Sequence, residues 1–222
     1  MTAVLRFLVV YIIPFLEFIP VVVGILNYKH LSTPFKIIFY FALLYATMDS
    51  LNSVMAIIFH QQSKPYVDML AVLDFPLISA FYMLVLNKKW KRTIIILLTV
   101  YYLLWIVDYW FLEVNNPMNI YPLALQSILT MLYAVIYMSQ QTQTNIEEQW
   151  SANPVNWVSS GLLIYCASAV ILTLFYDLML QMNLSITVFN VLWGINTLAA
   201  VVQFILISIG IYKCRQPQTI SL

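Results

Sequence analysis

The chain has 222 residues, of which 63% are hydrophobic, 15% aromatic and only 9% charged, with a mean hydropathy of +0.88. Soluble domains carry about 25% charged residues, so this surface is not built for water, and a net charge of +1 excludes an electrostatic nucleic-acid binder. Two cysteines, Cys166 and Cys214, make no disulfide framework. The composition is that of an integral membrane protein.

A bilayer core of about 30 Å needs about 20 mostly apolar helical residues. In chain order the sequence predicts a single all-α domain over 1–222 with seven transmembrane helices: Val4–Leu26, Lys36–Phe59, Tyr66–Leu86, Thr93–Leu112, Ile120–Met138, Val155–Leu180 and Val188–Tyr212. Barrel strands are shorter and alternate in polarity, which these runs do not. The first run is too long for a signal peptide and carries Glu17. Leu31-Ser32-Thr33-Pro34 punctuates the entry to the second span and Asn115-Asn116-Pro117 the entry to the fifth. Asn153-Pro154 supplies an N-cap and an N1 proline for the sixth. Ser139–Asn153, rich in Gln and Thr and holding Glu147 and Glu148, is expected to be a solvated loop or a short surface helix, and is a candidate docking segment.

Basic residues set the orientation. Lys29, Lys36, Lys88, Lys89, Lys91, Arg92, Lys213 and Arg215 fall on one side, leaving Arg6 and Lys64 on the other. The positive-inside rule therefore places the N-terminus outside and the C-terminus in the cytoplasm. Tyr28, Trp90, Trp150, Trp157 and Tyr212 on the inner side, with Tyr66, Trp110, Tyr121 and Tyr176 on the outer, are expected to be interface anchors.

Intramembrane acids carry the functional information, because each costs several kcal/mol at the bilayer centre unless shielded, paired or protonated. Glu17, Asp49 and Asp74 fall near the midpoints of spans one to three, with no Lys or Arg at that depth. Asp108 and Asp177 sit nearer the outer ends of spans four and six, and Asp68 and Glu113 at the outer boundary. Helical spacing gives the acids polar company: Tyr45, Asp49, Asn52, Ser53 and Ala56 share one face of span two. Gln126, Thr130, Tyr133 and Tyr137 share a face of span five, Trp193, Asn196, Ala200 and Gln203 one of span seven, and Tyr101, Trp105 and Asp108 one of span four. Glu17 is accompanied by Pro20 and Gly24. Such stripes either cement helices through interhelical hydrogen bonds or line a hydrated cavity. Three acids without a base favour the cavity, placed among spans one, two, three and seven.

Other chemistries lack their residues. No lysine occupies mid-span seven for a retinal Schiff base, and His30 and His60 lie near loops on opposite sides. Cys166 has no candidate base and reads, with Ala167 and Ser168, as a small-residue packing site. Cys214 is juxtamembrane, a position compatible with lipidation. No catalytic constellation, cofactor motif or metal-ligand spacing is present. Pro14, Pro20 and Pro122 are compatible with the kinked helices of a carrier built from inverted repeats, but Asp49 and Asp74 have no acidic counterparts in spans five to seven.

The run Asn153-Pro154-Val155-Asn156-Trp157-Val158-Ser159-Ser160-Gly161-Leu162-Leu163-Ile164-Tyr165 resembles an N-P-x-x-W-x-x-S-G-x-x-x-Y signature of largely uncharacterised seven-helix membrane proteins of Bacteroidota. Glu17-Phe18-Ile19-Pro20, Leu31 through Lys36 and Tyr66 through Pro76 are similar to their early segments. Some of those proteins form the membrane sensor regions of histidine kinases. The resemblance implies a bacterial inner-membrane location and a sensing role; with Leu222 soon after span seven, a kinase domain is not expected and a signal passes to a separate partner.

The expectation is thus a receptor-like protein whose pocket is lined by Glu17, Tyr45, Asp49, Asn52 and Asp74, completed by Asp108, Tyr133 and Asn196. It takes a small cationic or amphipathic ligand and contacts membrane lipid and a cytoplasmic or membrane protein partner, with no nucleic acid. A proton- or cation-coupled small-solute transporter and a scaffold or immunity-type interaction protein are the alternatives.

Overall fold

A computed structural model describes residues 13–58, 64–112, 120–144, 150–181 and 186–215, all described elements being helical. In chain order these are α1 (Ile13–Glu17), α2 (Ile19–Asn27), α3 (Thr33–Ile58), α4 (Lys64–Val85), α5 (Lys91–Val107), α6 (Ile120–Thr144), α7 (Pro154–Gln181) and α8 (Ile186–Lys213). Among the described residues four stretches are long and apolar enough to cross a membrane: Lys88–Phe111, Tyr121–Thr142, Pro154–Leu174 and Val191–Lys213. Met69–Val85 is a shorter apolar helix, so the chain has the character of an integral membrane protein.

Consecutive helices α3–α4, α6–α7 and α7–α8 pack side by side, and α1 and α2 lie against both α8 and α3, closing a ring. Glycines set the closest approaches, since packing in lipid relies on small residues that let backbones touch. A Cβ on Gly161 would sit 3.0 Å from the Gln203 carbonyl oxygen, and one on Gly210 would sit 2.9 Å from that of Pro154, so α7 and α8 meet nearly backbone to backbone. A Cβ on Gly24 would land inside the Phe39 ring, which holds α2 against α3.

Two spans depart from the expected continuous helices. The first is interrupted at Phe18, between α1 and α2. Pro20 has no N–H to donate back to Leu16, and placing it in the first turn of α2 removes that cost. The fourth is regular only to Val107 and widens to a π-turn over Asp108–Leu112. It also stands apart: α5 packs on α4 and α6, which touch each other, so it covers their seam from outside. Conversely, α6 runs past the expected Met138 to Thr144, taking in the start of the segment expected to be a solvated loop or a short surface helix; there the Gln140 side-chain oxygen accepts the Asn87 N–H at 3.3 Å.

The predicted start of α7 is reproduced in detail. The Asn153 side-chain oxygen accepts the Val155 N–H at 2.9 Å, with Pro154 at N1. Asn156 and Trp157 then donate to the Trp150 and Ser151 carbonyls at 2.7 and 2.9 Å, tying down the preceding turn.

The end of the bundle carrying Lys29, Lys88, Lys213 and their neighbours is its basic end. There Lys36 stacks on Tyr28 and Lys213 on Trp157, at 5.4 and 5.7 Å from the ring centroids. The half of the bundle nearest this end is closed by Phe35, Ile38, Phe81, Val158, Ile207 and Ile211, all buried. Arg6, His60, Glu113, the Asn115–Pro117 turn and Glu147–Glu148 lie outside the described residues, as do the side chains of Ser53, Ala56, Lys64, Tyr66, Asp68 and Asp177.

Candidate functional site

A cavity of about 690 Å³ occupies the half of the bundle away from the basic end. Each of five helices brings one face to it. α3 contributes Tyr45, Asp49 and Asn52 above Phe41; α4 contributes Ala71 and Asp74 above Ile78. α6 adds Gln126 and Ser127, and α8 adds Trp193, Asn196 and Gln203. The largest share comes from α7, where Leu162, Tyr165, Cys166, Ala169, Thr173 and Tyr176 follow a helical repeat along one face. Among the described residues no Lys, Arg or His lines the space, and no cluster of His, Cys, Asp and Glu fit for a metal ion is present.

The two acids are held differently. Asp74 is 7% exposed, and one of its oxygens accepts the Gln126 amide N–H at 2.7 Å. Behind that amide, the Tyr101 hydroxyl lies 3.2 Å from the Gln126 side-chain oxygen and 2.7 Å from the Ala71 carbonyl. A chain of three polar groups thus fixes Asp74 at the wall. Asp49 is only partly buried and faces the cavity one turn from Tyr45 and Asn52. The Tyr45 and Tyr165 hydroxyls bond each other at 3.1 Å across the cavity. Beside them, the Ser168 hydroxyl is shared between the Tyr165 carbonyl at 2.8 Å and the Asn196 side-chain oxygen at 2.9 Å.

Of the eight residues expected from the sequence, Tyr45, Asp49, Asn52, Asp74 and Asn196 come together on this cavity. Glu17 does not line it. It is buried to 3% exposure on α1, which packs on α3 and α8, within electrostatic reach of Asp49 and Tyr45, and one of its oxygens has no hydrogen-bond partner. Tyr133 belongs to the aromatic core instead, stacked on Phe75 at 6.2 Å and tilted against Tyr82 at 5.6 Å. Asp108 is buried in the π-turn that follows α5, a helix outside the ring, and so does not reach the cavity. Thr130 and Tyr137, from the same stripe as Tyr133, are likewise buried off the cavity.

Among the described residues span one contributes no lining, contrary to expectation, while α6 and α7 contribute much of it. The signal for α7 was present as the i, i+1, i+4, i+8, i+11 set Tyr165, Cys166, Ala169, Thr173 and Tyr176. It was obscured because only its hydroxyls and one thiol are polar, and Cys166 reads as a packing residue.

No protein-family model, no curated protein and no solved structure matches the chain, so the site is interpreted through its own residues.

Proposed function

We propose that the chain is a seven-span, receptor-like protein of a bacterial inner membrane that binds a small organic cation, or an amphipathic molecule with a cationic head, and signals to a separate partner. One observation carries the reading: Asp49 and Asp74, from two different helices, line a single cavity to which no described residue brings a basic side chain. Carboxylates withdrawn from water and left without a protein counter-charge favour a cationic guest. Aromatic rings at the same walls, from Tyr45, Tyr165, Tyr176 and Trp193, favour one with an organic body. The volume lies within the range of small-molecule sites.

With the basic end in the cytoplasm by the positive-inside rule, the cavity faces the outside and the packed apolar half lies beneath it. A guest is then held on one side of a closed plug, which suits sensing. Its effect on helix packing would pass along the α7–α8 contact at Gly161 and Gly210 toward the Asn153 cap. The resemblance of the α7 signature to sensor regions of histidine kinases points the same way.

Phenethylamine titrated against the protein in lipid nanodiscs is expected to bind saturably and raise the melting temperature. Asp49→Asn is expected to weaken that binding at least about tenfold, a loss of about 1.4 kcal/mol, with the unliganded melting temperature retained. Unchanged affinity would remove Asp49 from the site. A coupled carrier, the second reading, would accumulate the same amine in proteoliposomes under a pH gradient; a receptor would not.

A further inference from the structure

The cavity continues past its acids to a floor of different character. Phe41, Ile78 and Leu162 supply three apolar walls there, and Gln203 supplies the polar group. Gln203 is 1% exposed, and its side-chain oxygen has no hydrogen-bond partner. The residue lies where α7 and α8 are closest, its backbone against Gly161, so its carboxamide is confined to the bundle interior. A buried amide oxygen left unpaired is costly.

Depth gives the second half of the argument. Asp49 and Asn196 lie at nearly the same distance from the basic-end termini of their helices, Thr33 and Lys213. Gln203 follows Asn196 by two turns on the same face, about 10 Å deeper. Asp49 and Gln203 therefore stand at two levels of the cavity, with hydrocarbon and rings between them.

Resting on the cationic-ligand reading above, we infer that the ligand is two-ended: an ammonium at Asp49, an apolar or aromatic spacer, and a hydroxyl at the floor bonded to Gln203. A hydroxyl both donates and accepts, which matches a carboxamide. Gln203 is then the residue that selects hydroxylated amines over plain ones.

The test compares phenethylamine with 4-hydroxyphenethylamine, which differ by one hydroxyl, on the wild-type protein and on Gln203→Met in nanodiscs. Wild type is expected to prefer the hydroxylated amine by about tenfold, the scale of one buried hydrogen bond. Gln203→Met is expected to lose that preference while keeping its phenethylamine affinity within about twofold, which also reports that the variant has folded. Equal affinities in the wild type overturn the inference, whatever the variant does; so does a preference that survives in Gln203→Met. Binding of neither amine to the wild type sinks the cationic-ligand reading itself, a separate result.

Discussion

Pro76 explains how an acid comes to be fixed in the middle of a bundle. Proline has no N–H, so the carbonyl four residues back, that of Val72, loses its helical partner. The Tyr102 hydroxyl donates to that carbonyl at 3.0 Å, and the Tyr101 hydroxyl to the neighbouring Ala71 carbonyl at 2.7 Å. Tyr101 also reaches Gln126, which holds Asp74. Tyr101→Phe is therefore expected to lower stability by about 1 kcal/mol and to loosen Asp74. Tyr102→Phe is expected to cost less in a Pro76→Ala background, where the helix satisfies Val72 itself; a double-mutant cycle showing strict additivity would contradict this link. Glu17 makes the opposite case, a buried carboxylate with an oxygen that nothing satisfies. Glu17→Met is expected to raise the melting temperature in nanodiscs, with a gain of about 1–3 kcal/mol on removing the unsatisfied polar group. At this scale the acids were legible, since any carboxylate in an apolar run stands out. Gln203 was legible only as one member of a stripe, because its role depends on which neighbours surround it.

At the level of elements, hydropathy marks where lipid ends, not where a helix ends. That is why the fifth span was drawn to Met138 while α6 continues to Thr144, its last turns polar but still hydrogen-bonded and fastened to Asn87 through Gln140. The same blindness hid the break at Phe18, where apolar residues continue through an interrupted ladder. Local chemistry read better: Asn153, Pro154 and Val155 form the expected cap. Asn153→Ala is expected to cost about 1 kcal/mol, measured by thermal unfolding. Gly161 has a packing role that sequence spacing alone does not prove. With a Cβ there only 3.0 Å from a backbone oxygen, Gly161→Leu must push α7 from α8 and is expected to distort the cavity floor.

The molecule as a whole is polarised along its axis. Its basic half is a dry core of Phe, Ile and Tyr; its other half encloses the cavity. The two cysteines fall on opposite sides of this division. Cys166 lines the cavity, whereas Cys214 follows α8 at the basic end, where burial pushes its thiol up to about 12 and leaves it protonated at neutral pH. Sequence reasoning recovered the helical bundle and the idea of a polar interior, because both follow from which residues lipid rejects. It drew on span one and on Tyr133 of span five, where the lining comes instead from Gln126 and Ser127 of α6 and from α7, because the order of helices around the ring is decided by packing between distant segments.

The most direct test of an outward, anionic cavity is the reaction of Thr173→Cys, a half-buried cavity position, in protein also carrying Cys166→Ala and Cys214→Ala, with membrane-impermeant thiosulfonates of opposite charge. Added from the outer face of sealed vesicles of known orientation, the cationic reagent is expected to react about tenfold faster than the anionic one. Combining Asp49→Asn with Asp74→Asn should erase that difference. Equal rates for the two reagents before neutralisation, or reaction only from the cytoplasmic face, would contradict the account.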